Sequence, residues 1–401
     1  MKFRELTEEE YKSFWENHPL KTFLSAVEIS KLREKSNWNT NYVGVEKNNK
    51  IIAATMLLSH IRRFNKYEFY SPRGYLLDFN NKELVDYFTN ELKKYIKEKN
   101  GYVLRIDPYV IYKERDIDGN IKEGGIDNSN IVNNLLSLGF KKVSIPNTEQ
   151  VLWMFALDLE GKDEDTILKE MQSSTRNKIR KAEKYGIELK ELKYDELNIF
   201  QDIMDETSKR KGFSNRKIEY YQKMYNIYKE DVKYLIAELN LLDYIKKLEE
   251  EKEEKTTKYE KMDDVKDAKA KSSLLNEIES IDKRLEEAKT IGKDKIVLSC
   301  AMFILTKPEI IFLAGGNYEE YMKYDAQYLL QWEMIKYGIN NKYKRHNFYG
   351  IPANINTHPK DYGIYEFKRR FNGYVEELIG EYELPITWHY SLFKLIHKIK
   401  K

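Results

Sequence analysis

Residues 240–291 run without a Gly or a Pro, and apolar positions recur there at alternating four- and three-residue steps, the spacing that holds one helical seam against a partner. One leg reads Leu241, Ile245 and Leu248, then Tyr259 and Met262; the other reads Leu274, Ile278, Ile281, Leu285 and Ala288. The pattern predicts an antiparallel coiled-coil arm over residues 240–293 that turns near residues 263–267. Its flanks change period: Tyr234-Leu235-Ile236-Ala237-Glu238 before it and Lys295-Ile296-Val297-Leu298-Ser299 after it read as strands, so the arm stands where a hairpin turn would.

With the arm set aside, the pattern repeats. Tyr42-Val43-Gly44-Val45, a turn at Asn48-Asn49, and the apolar run from Ile51 to Leu58 form a first hairpin; residues 234–238 and 296–305 form its counterpart. A helix follows each, over residues 83–97 and 326–339. Each helix leads into a strand ending in Pro, Tyr102 to Pro108 and Asn347 to Pro352, and each copy closes with a short helix and a further strand. The expected fold is therefore α/β (mixed α+β): two tandem units, residues 1–155 and residues 156–239 with 294–401, the arm being inserted in the second.

Composition narrows the chemistry. Across 401 residues, 69 Lys and Arg stand against 66 Asp and Glu, so any nucleic-acid contact must come from local patches. One cysteine, Cys300, in an apolar run excludes a disulfide framework, and six scattered histidines lack metal-ligand spacing, so no metal is expected. No run approaches the ~18 apolar residues of a membrane span, and the N-terminus lacks a secretory stretch, which makes a cytoplasmic protein the expectation. The basic, amphipathic segment 392–401 fits a helix docked on its own unit, or one resting on an anionic inner leaflet.

The element order looks like a duplicated acyltransferase fold of the GCN5-related N-acetyltransferase kind. That fold holds coenzyme A pyrophosphate on a Gly-rich loop at a helix N-terminus. No Arg/Gln-x-x-Gly-x-Gly/Ala stretch precedes either helix, and Gly315-Gly316 has the wrong spacing, so an acyl donor other than coenzyme A, and no cofactor, is expected.

Six strings then carry a resemblance across the whole chain: Ser71-Pro72-Arg73-Gly74, Arg105-Ile106-Asp107-Pro108-Tyr109, Thr175-Arg176-Asn177-Lys178-Ile179-Arg180, Leu329-Leu330-Gln331-Trp332-Glu333-Met334-Ile335, Asn347-Phe348-Tyr349-Gly350 and Tyr365-Glu366-Phe367-Lys368. In this order, with the arm, the chain resembles the FemABX aminoacyltransferases, of the FemA, FemB and MurM-like kind. The resemblance implies transfer of an amino acid (Gly, Ala or Ser) from aminoacyl-tRNA to the stem peptide of a peptidoglycan precursor, lipid II or UDP-MurNAc-pentapeptide. The product would be an interpeptide bridge. An activated ester needs no cofactor; it needs a neutral amine, a positioned carbonyl and a stabilised oxyanion.

The resemblance points to Asp107 as proton acceptor, the plain alternative being an Asp-Pro turn. Lys368, beside Phe367, is a candidate to hold the ester carbonyl or the tRNA terminus, and Glu381 is a further candidate near the same place. Arg216 and Tyr220 resemble acceptor-phosphate contacts, and Arg33 falls where relatives carry a lysine. Leu313 stands where relatives tend to have Tyr. The basic face of Arg176, Lys178, Arg180, Lys181 and Lys184 would meet tRNA phosphates or stand in solvent. Partners expected on these grounds are aminoacyl-tRNA, the muropeptide, the inner leaflet peripherally, and a second copy or a relative in a dimer. Two readings from other classes remain: a coenzyme A-dependent N-acyltransferase, and a non-catalytic coiled-coil RNA-binding or scaffold protein.

Overall fold

The computed structural model describes residues 1–34, 36–145, 147–353 and 359–399. Among the described residues, fifteen strands form two sheets. In chain order they are β1 (Lys2–Leu6), β2 (Trp38–Lys47), β3 (Lys50–Ile61), β4 (Tyr67–Ser71), β5 (Gly101–Ile106), β6 (Ile111–Glu114), β7 (Lys141–Lys142), β8 (Trp153–Asp158), β9 (Ile187–Glu191), β10 (Val232–Asn240), β11 (Lys295–Thr306), β12 (Glu309–Asn317), β13 (Arg345–Gly350), β14 (Tyr374–Leu378) and β15 (Tyr382–Pro385). The first sheet runs β1-β2-β3-β4-β5-β15-β7 and the second β6-β14-β8-β13-β12-β11-β10-β9.

Both hairpins expected from the alternating pattern are present. β2 and β3 turn at Asn48 and Asn49, which both take positive φ, the conformation that Asn tolerates best after Gly. β10 and β11 pair from Val232↔Ile304 to Asn240↔Lys295, and the arm joins them. The helices over Lys82–Glu98 and Ala326–Asn340 follow their hairpins as the period predicted. In each unit the helix returns the chain to a parallel neighbour: β4 with β5, and β12 with β13.

The division into contiguous units needs correction. β15, assigned with the rest of residues 294–401 to the second unit, lies in the first sheet between β5 and β7. β8, which straddles the expected boundary at residue 155, lies wholly in the second sheet between β13 and β14. The second sheet thus takes β6 and β8 from the chain as it leaves the first unit, and the first sheet takes β15 as it leaves the second. Periodicity could not show this, because an apolar strand reads the same whichever sheet receives it.

The arm is a hairpin of helices Leu241–Glu260 and Ala268–Ile291, each roughly 30–36 Å long at ~1.5 Å per residue. Its foot is not free. Leu241, Tyr244, Leu248, Ile281, Leu285 and Ala288 belong to the apolar core of the second unit, whereas Tyr259, Met262 and Ile278 further out are only half-buried. Tyr244, which the expected seam skipped in favour of Ile245, packs edge-on against Tyr185 and Tyr324 of the body. A second core cluster joins the units, with Ala54, Met56, Leu58 and Tyr70 of the first sheet packing through helices Leu197–Lys211 and Ile218–Tyr228 onto Tyr234, Ile236 and Met302 of the second. Among the described residues, no helix is long and apolar enough to cross a membrane, and no three His, Cys, Asp or Glu cluster as a metal site would require.

Candidate active site

β4 and β5 end in register at Ser71↔Ile106, so the segments that leave them, Pro72-Arg73-Gly74 and Asp107-Pro108-Tyr109, emerge side by side. Arg73 takes a left-handed φ of 52°, and Gly74 has no room for a Cβ, which would collide with Ser71 Oγ. This turn aims the Arg73 N–H at Asp107 Oδ1, to which it donates at 2.8 Å. The guanidinium folds back, with Nη1 3.5 Å from Asp107 Oδ2 and Nη2 donating to Val151 O at 2.8 Å. Both side chains are buried. Burial pushes the Asp107 carboxyl up to about 7, against the pull of Arg73. Asp107 Oδ2 and Arg73 Nη1 lack a hydrogen-bond partner among the described residues, so this pair retains polar capacity.

The second unit presents a lysine in the same way that the first presents an aspartate. Helix Pro359–Arg369 carries Lys368 inward until it is buried, and its Nζ donates to Gly350 O at 2.6 Å. Burial lowers its pKa to about 7. Phe367 packs edge-on against Tyr328 at 5.0 Å and Phe371 at 5.5 Å, which fixes the helix and with it the lysine's direction.

The residue beside Gly350 joins the two. Tyr349, at the end of β13 with φ 63°, donates its N–H to Asn347 Oδ1 at 2.8 Å. The hydroxyl of this half-buried side chain lies in the field of Arg73 and Asp107 and also of Tyr220. The dipeptide Tyr349-Gly350 therefore spans from the Arg73–Asp107 pair to Lys368. Below it, Tyr109 and Arg345 lock the units together. Arg345 donates to Glu376 through Nη1 and Nη2 at 2.7 and 2.8 Å, to Glu309 through Nε at 2.9 Å and to the Tyr109 hydroxyl at 2.9 Å.

Arg33, Arg216 and Tyr220 come together where helix Val27–Glu34 packs on helix Ile218–Tyr228. Asn215 sets the approach: it donates to Asp205 at 2.8 Å and accepts from the Tyr221 hydroxyl at 2.7 Å and the Arg216 N–H at 2.8 Å. Arg216 lies over the Tyr220 ring at 5.4 Å and Arg33 over Trp38 at 5.6 Å. Burial raises the Tyr220 pKa while the charges of Arg216 and Arg33 oppose it. Two arginines beside a helix N-terminus suit a phosphate. Leu313 is half-buried against the core shared by the units.

Two sets of candidates are held by partners of their own. Glu381, expected near Lys368, enters the first sheet at the start of β15, where it forms an ion pair with Arg105 and accepts the Glu149 N–H at 2.6 Å. The strand exchange sets it there, and its charge acts on Asp107. The basic helix Ser173–Tyr185 is largely committed internally: Arg176 donates to Lys169 O at 3.0 Å and to Met171 O, Lys178 and Lys181 pair with Asp325, and Lys184 pairs with Glu251 on the arm at 2.9 Å. Arg180 stays exposed. Arg73 and Tyr349 belong to the site although the sequence gives them no role on their own; an arginine between Pro and Gly, and a tyrosine before Gly, at strand ends are the signals that point to them.

Residues 6–398 match the FemAB family. The chain is 31% identical over 417 aligned positions to "Aminoacyltransferase FemA" of Staphylococcus aureus (strain MRSA252), covering 100% of this chain and 99% of that protein. The same enzyme from the bovine strain RF122 / ET3-1 is 30% identical over equal coverage. Among solved structures, that of FemX superposes with a TM-score of 0.77 at 22% identity, over 99% of this chain and 100% of that one. A tandem GNAT protein from the clavulanic acid biosynthesis pathway gives 0.50 at 9% identity, over 96% and 98%. These two establish the duplicated acyltransferase fold.

Proposed function

The chain belongs to the FemAB family, and from that membership we propose that it is an aminoacyltransferase of peptidoglycan interpeptide-bridge formation, adding Gly, Ala or Ser from aminoacyl-tRNA to the stem peptide of a lipid- or nucleotide-linked muropeptide. The observation that carries this reading is the end-to-end correspondence with enzymes named Aminoacyltransferase FemA. In the reaction, the stem-peptide amine attacks the ester carbonyl carbon. A C–N bond forms, the C–O bond to the terminal ribose breaks, the amine proton passes to a base, and the ribose oxygen leaves protonated. No cofactor enters this balance.

Lys368 suits the developing oxyanion. As an ammonium it donates one N–H to Gly350 O and keeps two for the ester carbonyl or the tRNA terminus. Burial alone leaves it half-charged near neutrality; a negative oxygen beside it draws the proton back, so its charge is strongest when the transition state needs it. Asp107 has a proton affinity suited to an amine but no exposed surface, so proton acceptance requires the amine to reach the side held by Arg73. Arg33 and Arg216 are assigned to the acceptor pyrophosphate with Tyr220. Arg180 and the arm are assigned to tRNA.

The test is to incubate the protein with a lipid II analogue, or with UDP-MurNAc-pentapeptide, and tRNA charged separately with Gly, Ala and Ser. A mass gain of one residue on either acceptor is expected. No gain with any pair would overturn the reading.

A further inference from the structure

The loop of residues 61–65 and the C-terminal helix His389–Ile399 together expose aromatic and apolar side chains that a solvated surface would ordinarily cover. Phe64 is 67% exposed, Trp388 69% and Leu395 57%. They are neighbours. Phe64 stacks on Phe393 at 6.0 Å, Phe393 meets His389 at 6.1 Å, and His389 stacks on Trp388 at 4.0 Å. Trp388, just before the helix, and Leu395, on it, both stand in solvent. Phe64 is held at the loop tip with φ 54°, an unfavourable conformation for a bulky residue, and it is spent on presenting a ring to solvent. Beneath the helix lies a groove of about 630 Å³.

Charge surrounds the rings. Arg62, Arg63 and Lys66 flank Phe64 in the chain, Lys394 stands on the helix, and Lys141 lies over Tyr390 at 5.0 Å. Glu68 and Glu383 pair with Arg62 and Lys394 at 2.8 and 2.7 Å, which leaves the surface net positive. Aromatic tips that protrude within a basic rim match an interface of acyl chains below anionic headgroups. The loop also adjoins the assigned acceptor site: Arg33 lies over Trp38, and Trp38 packs on His60 at 5.1 Å, next to Ile61.

We propose that this loop and the C-terminal helix form a docking surface for an anionic phospholipid bilayer, which sets Arg33 against the leaflet so that the acceptor pyrophosphate is lipid-linked. The docking rests on the exposed rings and their basic rim; the choice of acceptor rests on the function proposed above.

Co-sedimentation with vesicles of phosphatidylcholine, with and without phosphatidylglycerol, tests it. The wild-type protein is expected to bind the anionic vesicles about tenfold or more tighter than the neutral ones, less so in high salt. The double variant Phe64→Ser/Trp388→Ser should lose about tenfold of that binding with an unchanged melting temperature, since both rings are exposed, and Arg63→Glu should lose it in part. With acceptor supplied, the double variant should fall in kcat/KM on lipid-linked muropeptide in vesicles and keep its rate on the nucleotide-linked one. Equal binding to both vesicles, no binding, a double variant that binds as wild type, or variants that lose tRNA binding instead would overturn the proposal. Vesicle docking as described, together with no transfer to either acceptor, would overturn the proposed function and leave the docking surface standing.

Discussion

Lys368 Nζ donates to Gly350 O at 2.6 Å from a side chain that is only 5% exposed, while Tyr349, one residue earlier, lies in the field of Asp107 and Arg73. A lysine in such surroundings is held as much for its proton as for its charge. Lys368→Met keeps the stem and deletes the ammonium, so kcat should fall by about 100-fold or more with little loss of fold, the range of one oxyanion donor. Steady-state kinetics at saturating substrates checks this; full turnover would remove Lys368 from the chemistry.

The same substitution has a pH signature. Lys368 titrates near 7 when folded and near 10.4 when unfolded, so between those values the unfolded chain binds more protons and wild-type stability rises with pH. The stability is fully present above the unfolded value and is lost as pH falls through 7. Wild type should therefore gain on the order of 2–4 kcal/mol relative to Lys368→Met between pH 7 and pH 10. Chemical denaturation of both proteins at the two ends measures it, and parallel pH profiles would count against a buried, depressed lysine.

Arg73 and Asp107 separate positioning from proton transfer. Arg73→Met leaves a buried carboxylate without its guanidinium and should cost about 3–5 kcal/mol of stability. Asp107→Asn keeps an oxygen for the Arg73 N–H and should fold, but its kcat should drop and lose the dependence on a group near pH 7 if the carboxyl takes the amine proton. A full-rate Asn variant would leave Asp107 with the role of holding Arg73.

Arg33→Ala and Arg216→Ala each remove a guanidinium beside Tyr220 and should each raise acceptor KM by about 10–100-fold, from a charge-assisted contact of roughly 1.5–3 kcal/mol, with kcat near wild type. Unchanged acceptor KM in both variants would move the phosphate site elsewhere.

Trimming the arm must respect its foot. Leu248, Ile281 and Leu285 are core residues, each worth about 1.5–3 kcal/mol on burial, so a cut that removes them should unfold the second unit. A cut that joins the legs just beyond Lys255 and Glu277, which pair at 2.6 Å, leaves that core and the β10–β11 ladder in place. This shortened protein should melt near wild type and bind the muropeptide, yet lose most transfer from intact charged tRNA or lose its oligomeric mass by light scattering. Retention of both would make the outer arm dispensable.

Local pattern carried most of the architecture into view. The Gly- and Pro-free seam predicted the arm and its turn, and the alternation around Asn48-Asn49 predicted the first hairpin, because both rest on contacts within a few residues. Burial was harder to read. Nothing in Ser71-Pro72-Arg73-Gly74 says that the arginine folds inward onto Asp107, a pairing set by two parallel strands 34 residues apart in sequence. The partners of Glu381 were hidden for the same reason on a larger scale, since its neighbour Arg105 is 276 residues away and reached only through the exchanged strand. The basic helix looked like a phosphate-binding face until its partners, Asp325 and Glu251, were folded against it.

The exchange of β8 and β15 also governs how the chain is made. As it leaves the ribosome, the first sheet is missing the strand between β5 and β7 until Tyr382–Pro385 has been synthesised. A nascent or prematurely terminated chain therefore carries an open gap with unpaired backbone on both sides, the kind of edge that invites association with other chains. Completion of the first unit waits on a strand that follows the second unit in the chain, so termination before it should yield insoluble fragments rather than a free-standing N-terminal half.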